Sequence, residues 1–410
     1  MFFGGVSYLV RSIVVKFGGS VLRDISAISE AAKWVKEMLS RGVGVVVVVS
    51  AMKGVTDELQ EAAENLSSNP DPKLMAEILS MGERMSVRLF ALALRDHGIN
   101  AIFIDPSSEN WPIIADGNPL DANPIYELVK KKVLERIEPM VERGVVPVIC
   151  GFIGINKNGE IVTLGRGGSD TTAVLLGSCL RSDEIVLVKD VPGVFSADPG
   201  IVDDAELLST LNFREAQALI RGGSKIIHTK ALRYLDRGLR LRIASFEELL
   251  KGGGTIIEGC EKELDVKIFE ERISMVTIVG SNSPGSLGRL TEVLMRNGVK
   301  VVASSSEENS IILYVIEVKN ILKKLHKMLL TEKIGKALSI YQGLSMITVT
   351  GRMLETSPGI IYRIVKPLAE EGINVYGLVT ISSSIRIFVS EKDSEKASDL
   401  IMKALEGVSG

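Results

Sequence analysis

The sequence predicts an α/β domain on a mainly parallel sheet, followed by two small α+β units. Three observations predict this. Over residues 1–250, short β-branched runs alternate with stretches of helical apolar spacing. Gly252-Gly253-Gly254 and the charged stretch Glu258–Asp265 then break the pattern, as a linker does. Beyond them, a βαββα pattern occurs twice. The divisions read this way are a first domain over 1–250, a linker over 251–272 that also offers a strand to the C-terminal units, and units over 273–335 and 336–410.

The strands of the first domain are expected at Ile13–Phe17, Val43–Ser50, Val145–Cys150, Glu184–Val188 and Leu239–Ala244. They are near-continuous apolar runs, as suits strands covered on both faces. Helical spacing marks Ile28–Leu39, Leu74–Leu94, Tyr126–Arg143 and Thr171–Leu180. Ligands of such sheets bind beyond the carboxyl ends of the strands. In the repeat, Ser283-Pro284-Gly285 recurs as Ser357-Pro358-Gly359, and Gly298-Val299 recurs at the same offset as Gly372-Ile373. Each SPG follows a strand (Met275–Val279, Met346–Thr350) and opens a helix, and each later glycine closes that helix. A strand (Ile311–Val315, Ile385–Val389) and a helix (Ile321–Leu330, Glu395–Leu405) complete each unit. One such unit hardly covers its own sheet face, so the two are expected to pack together or on another subunit.

The 410 residues carry a net charge of −3, with 46% hydrophobic and 24% charged residues. That length favours two or three domains, and the composition rules out a disordered chain. It also argues against a protein that coats nucleic acid or an acidic membrane face. The longest apolar run, Val43–Val49, is far short of the roughly 18–20 residues of a membrane span. The apolar start, Met1–Val10, lacks a basic leader, and a strand follows at once, so no signal peptide is expected. Cys150, Cys179 and Cys260 are scattered and odd in number, which reads as reduced thiols of a cytoplasmic protein. His97, His228 and His326 are too dispersed for a zinc site, and no metal-binding residues are assigned.

Six segments carry chemistry. After the first strand, Lys16-Phe17-Gly18-Gly19-Ser20 offers close backbone approach to an anion and a lysine that reaches a phosphoryl group. It is not a Walker loop, since GxxxxGK[ST] is absent. After the second, Ser50-Ala51-Met52-Lys53-Gly54-Val55-Thr56 lines a polar pocket, or is a plain loop in which Thr56 caps the next helix. Ser80–Ser86 sets Gly82 in mid-helix, where a glycine costs about 1 kcal/mol and implies a close approach. Its neighbour Glu83 suits an ammonium ligand, or an exposed charge pair. Thr163–Thr172 is the most informative: a glycine-rich turn carries Arg166, then a helix opens with Ser169 and Asp170. Free amides at a helix start and an arginine fork both suit carboxylate or phosphate, while the spacing does not fit the dinucleotide motif GxGxxG. Lys189–Pro199 is a rigid loop after another strand, with Phe195 placed to pack on a base. Gly222–His228 brings a further lysine, Lys225, and reads His228 as a helix-cap or core residue.

In order, KFGGS, SAMKGVT, SMGERMS, GFIG…TLGRGGSDTTA, KDVPGVFSADP and GGSKIIH resemble the aspartate kinases of the amino-acid kinase family, and the repeats resemble ACT domains. The resemblance covers the chain beyond Val10. It implies the amino-acid kinase fold, a mainly parallel sheet sandwiched by helices, followed by two α+β ferredoxin-like ACT units. It implies transfer of a phosphoryl group from Mg-ATP to the β-carboxylate of L-aspartate, giving 4-phospho-L-aspartate at the first step of lysine, threonine and methionine biosynthesis. By the matching motifs, Lys16 contacts the transferring group and Asp170 orders that lysine and the amino-acid end of the site; these are the catalytic positions. Arg166 takes the α-carboxylate and Glu83 the α-ammonium, with Thr56 and Ser169 lining the pocket. Lys16, Gly18, Gly19, Lys189, Asp190, Phe195, Lys225 and Ile226 match the nucleotide-contacting segments, and Mg²⁺ is held mainly through the phosphates.

Three positions depart from the common pattern. The first motif reads KFGGSV rather than KFGGTSV, Gly200 stands where arginine is common, and Phe195 where tyrosine is common. The last two remove a phosphate contact and a hydroxyl hydrogen bond. The ACT resemblance implies feedback by an amino acid, lysine or threonine, and a homodimer or higher homo-oligomer. Effector positions by motif are Asn282, Ser283 and Gly285 in the first unit and Asn374 in the second, where the first has Lys300. No fused homoserine dehydrogenase is expected after the second unit. The competing readings are another amino-acid kinase, of glutamate or acetylglutamate, and a catalytically silent amino-acid sensor.

Overall fold

The computed structural model describes residues 12–223, 227–236, 238–259, 265–280, 286–307, 309–317, 321–332, 335–351, 354, 359–381 and 384–406. The chain divides into two compact units, Met1–Glu261 and Lys262–Gly410. The strands of the first are β1 (Ser12–Phe17), β2 (Gly44–Val49), β3 (Ala101–Ile104), β4 (Val146–Cys150), β5 (Ile153–Ile155), β6 (Ile161–Thr163), β7 (Glu184–Lys189), β8 (Thr210–Asn212), β9 (Arg240–Ser245) and β10 (Thr255–Glu258). Its helices are α1 (Ile25–Ser40), α2 (Val55–Leu66), α3 (Pro72–Asp96), α4 (Tyr126–Lys132), α5 (Glu138–Glu142), α6 (Gly168–Leu180), α7 (Phe213–Arg221), α8 (Thr229–Leu232) and α9 (Phe246–Lys251).

Eight strands form one sheet in the order β3-β4-β2-β1-β7-β9-β10-β8, parallel throughout except for the β9–β10 pair. β5 and β6 form a separate hairpin. Val14–Phe17, Val45–Val49 and the whole of β4 are buried at every position, so helices cover both faces of the sheet. Helix α6 lies over β1, β2 and β7 and is buried from Gly168 to Cys179. That accounts for the mixed apolar and small residues all round it: there is no solvent face to mark with charge.

Two elements differ from expectation. The predicted helix over Tyr126–Arg143 is broken by a π-helical turn, Val133–Ile137, just before Pro139. Proline has no N–H to give the ladder, and the turn absorbs the missing bond. The stretch 251–272 also carries a second strand besides the one expected of it for the C-terminal units. Strand β10 pairs with β8 and β9 in the first unit. The expected strand, β11 (Asp265–Ile268), belongs to the other unit.

The second unit continues with β12 (Ile273–Val279), α10 (Ser286–Arg296), β13 (Val301–Glu307), β14 (Ser310–Ile316), α11 (Ile321–Glu332), β15 (Ala337–Thr350), α12 (Ile360–Glu370), β16 (Gly377–Ile381), β17 (Ser384–Ser390) and α13 (Ser394–Leu405). The βαββα pattern is therefore present twice. Strand β15 serves both copies: Ala337–Leu344 pairs with β12, and Leu344–Thr350 pairs with β17. Strand β11 pairs antiparallel with Ile347–Thr350 and closes the second copy. The copies are thus interwoven. Leu290, Leu294, Leu325 and Leu329 form the helix-side core of the first, and Ile364, Leu368, Ile401 and Leu405 that of the second. A third cluster joins the copies, where Tyr314 stacks on Phe388 with centroids 3.7 Å apart. Among the described residues no helix is long and apolar enough to cross a membrane.

Candidate active site

The carboxyl ends of β1 and β2, the glycine-rich turn before α6 and the first turns of α2 and α6 surround a cleft of about 570 Å³. Lys16, the penultimate residue of β1, is only 7% exposed. Its Nζ lies 2.8 Å from Asp170 Oδ1, and Lys189 Nζ, from the end of β7, lies 2.8 Å from Oδ2. One buried carboxylate thus bridges two ammonium groups from adjacent parallel strands. Burial alone would push the Asp170 pKa up; the two lysines outweigh it and hold the carboxyl down at about 2. Burial, with the like charge of Lys16, lowers Lys189 despite the attraction of Asp170.

Glu83 lies on α3 and is 3% exposed. The Ala51 N–H donates to its Oε1 at 3.0 Å. Its other oxygen, Oε2, is buried and has no hydrogen-bond partner among the described residues. Burial lifts the Glu83 pKa to about 7, against the pull of the Ala51 N–H and the Lys16 charge. A buried carboxylate oxygen that faces a cleft without a donor fits a cationic ligand. Gly82 makes the arrangement possible: a Cβ there would stand 2.7 Å from Ala51 Cβ. The mid-helix glycine lets α3 approach the end of β2 closely enough for Glu83 to reach the Ala51 amide. Arg84 Nε, on the next residue, at 3.1 Å and Arg88 Nη2, about one turn further along, at 2.8 Å both grip the buried Asp105 at the end of β3 and tie α3 to it.

The turn Gly165–Gly168 takes left-handed φ values at Gly165 (70°) and Gly167 (72°), which glycine alone adopts without strain. Gly167 is the N-cap of α6 and offers no side chain, so the amides of the first helical turn, Ser169 and Asp170 among them, are not covered by a side-chain cap. With the helix dipole they suit an anion. Arg166 is exposed on the cleft wall between the two glycines.

Lys16, Gly19, Thr56, Glu83, Arg166, Ser169 and Asp170 all line the cleft. Thr56 is the second residue of α2, whose N-cap is Gly54, so its hydroxyl is not consumed as a cap. Gly18 donates its N–H to Val188 O at 3.1 Å, locking β1 to β7 beside the cleft. Lys189 joins through Asp170, while Asp190 and Phe195 follow β7 and lie outside the cleft lining. Gly200 donates its N–H to Asp198 within its own loop. Lys225, Ile226, Asn282, Ser283 and Gly285 lie outside the described residues, and Asn374 is exposed between α12 and β16.

Sequence reasoning missed three participants. The Ala51 amide orients Glu83. Phe152 lines the cleft with φ 67°, a left-handed backbone that is strained for a bulky residue. Lys230 is buried on α8 beside the glycine turn. Ala51 and Phe152 stand within segments the sequence singles out, SAMKGVT and GFIG, and Lys230 stands just past Gly222–His228. His228 caps α8, its Nδ1 accepting the Lys230 N–H at 3.3 Å. Among the described residues, no cluster of three or more His, Cys, Asp or Glu side chains is placed to hold a metal ion.

Known proteins resemble this chain over most of its length. The model of the amino acid kinase family matches residues 11–245, and an ACT domain model matches residues 339–402. An aspartokinase of Bacillus sp. (strain MGA3) is 32% identical over 409 residues, spanning 96% of this chain and 97% of that protein. An aspartokinase of Geobacillus stearothermophilus is 30% identical over 392 residues, spanning 93% of each. The crystal structure of an aspartate kinase from Synechocystis aligns with a TM-score of 0.75 at 26% identity, over 96% of this chain and 69% of that one.

The raised Glu83 pKa has a measurable consequence. An acid whose pKa rises from 4.5 to about 7 on folding lowers stability as pH climbs through that window, and the loss is complete above it. Glu83→Gln removes the loss. In ligand-free protein its stability relative to the parent should grow between pH 4.5 and 7 by up to about 3 kcal/mol, then stay level. Denaturant unfolding across pH reads this directly; a pH-independent offset would contradict it.

Proposed function

The chain belongs to the amino acid kinase family, and on that premise we propose that it is an aspartate kinase, which transfers the γ-phosphoryl group of ATP to the β-carboxylate of L-aspartate. The observation that carries this reading is the meeting, in one cleft, of a lysine-bridged aspartate with an unpaired buried carboxylate oxygen and an exposed arginine. The substrate is a zwitterion with one extra carboxylate. Its α-ammonium matches Glu83 Oε2, its α-carboxylate matches Arg166, and Thr56 and Ser169 complete the pocket wall. Its β-carboxylate then points toward Lys16.

A carboxylate is already a nucleophile at neutral pH, so the reaction needs positioning and charge neutralisation rather than a general base. Lys16 supplies positive charge at the transferring group. Asp170 keeps Lys16 and Lys189 side by side. The uncovered amides at the start of α6 add further donors to developing negative charge. Gly18, Gly19, Lys189, Asp190, Phe195, Lys225 and Ile226 are proposed for the nucleotide side. Mg²⁺ fits as a partner of the nucleotide phosphates, because both Asp170 oxygens are already engaged by lysines; when bound, it neutralises phosphate charge. The interwoven ACT pair suits binding of an amino-acid effector, lysine or threonine, and assembly into a homodimer or higher homo-oligomer. A cytoplasmic site of action accords with the substrates.

A coupled ADP-release assay with aspartate, glutamate and acetylglutamate tests the assignment. Turnover is expected with aspartate; turnover with glutamate but not aspartate would sink it. The roles of the cleft residues separate kinetically. Arg166→Ala should raise KM for aspartate by about 10–100-fold with a smaller change in kcat, and Lys16→Ala should lower kcat by about 100–1,000-fold. Equal effects of both variants on both parameters would contradict this division.

A further inference from the structure

We propose that Lys230 is a positioning residue that aims Arg166 into the cleft by clamping the glycine turn from below. It is 5% exposed, and its ammonium donates to three acceptors: Asp121 Oδ1 at 2.8 Å, Ala122 O at 2.8 Å and Leu164 O at 2.9 Å. Three acceptors match the three donors of an ammonium, and a planar guanidinium fork would not reproduce that arrangement. Leu164 O is the last carbonyl before Gly165, so the clamp grips the turn at its entry.

The same two segments bracket the rest of the turn. A side chain at Gly165 would run into the Asp121 carboxylate, and one at Gly167 into His228 Cβ. His228 in turn caps the helix that carries Lys230. The 119–122 segment is itself fixed along β6: Thr163 N–H donates to Pro119 O at 2.8 Å, Ala122 N–H to Thr163 O at 2.8 Å, and the Thr163 hydroxyl to Leu120 O at 2.9 Å. Both neighbours of Arg166 are thereby fixed in place, and with them the direction of its Cα–Cβ bond. Lys230 does not itself line the cleft, so its influence passes through the turn.

The inference rests on the proposed role of Arg166, and the experiment separates the two. In Lys230→Met, hydrogen exchange at the amides of Gly165–Ser169 should quicken by about tenfold or more while exchange in β1 is unchanged. KM for aspartate should rise by about tenfold, with KM for ATP changing less than about threefold. Unchanged exchange in the turn, or equal rises in both KM values, would overturn the proposal. The exchange result stands even if aspartate is not the substrate, whereas failure of aspartate turnover in the parent would count against the function alone. If Lys230→Met does not fold, Asp121→Ala decides. The Asp121 side chain is 70% exposed, so its loss leaves the core intact. It should raise KM for aspartate by about threefold and speed exchange in the turn; no change in either would equally overturn the proposal.

Discussion

The first unit depends on a single electrostatic constraint: two lysines at the ends of neighbouring parallel strands have to coexist out of water. Alone, the ammonium groups of Lys16 and Lys189 would repel each other in a poorly screened site. Asp170 resolves this by giving one carboxylate oxygen to each. Much of the surrounding architecture serves that geometry. Strands β1 and β7 have to be adjacent and parallel so that both lysines arrive at the same end of the sheet. Helix α6 has to start directly above them so that its first turn delivers Asp170. A buried pair with one partner removed is strongly destabilised, because the remaining charge is left unpaired. The three residues are therefore a unit.

Around that unit the cleft divides by charge. One wall carries positive groups and uncovered helix amides, where a phosphoryl group would sit. The other carries Glu83, with a pKa of about 7 because burial resists its charge, and one oxygen left without a donor. A ligand ammonium would complete that oxygen and draw Glu83 into its ionised form. Binding of a zwitterionic amino acid there would in this way be coupled to the release of a proton near neutrality.

The sheet and the cleft residues were legible in the sequence because their signals are local. Buried parallel strands write themselves as β-branched runs, and glycines, Arg166 and Asp170 stand together within six residues. Gly82 announced a close approach, and Ala51 is what it approaches. What was not legible depends on partners far along the chain. Strand β10 follows three glycines and reads as a linker, and it becomes a strand only because β8 and β9 leave an edge for it. The shared role of β15 is likewise a matter of which neighbours it finds. Lys230 reads as an ordinary charge until Asp121 and Leu164 are seen beside it.

The proposed chemistry rests on Asp170 acting through the two lysines rather than on the substrate. Asp170→Asn keeps the size of the side chain and removes its charge. The direct measurement pairs kcat with calorimetric aspartate affinity for this variant. The account predicts that kcat falls by about 100-fold or more while aspartate affinity stays within about threefold. Turnover retained within about threefold of the parent would contradict it.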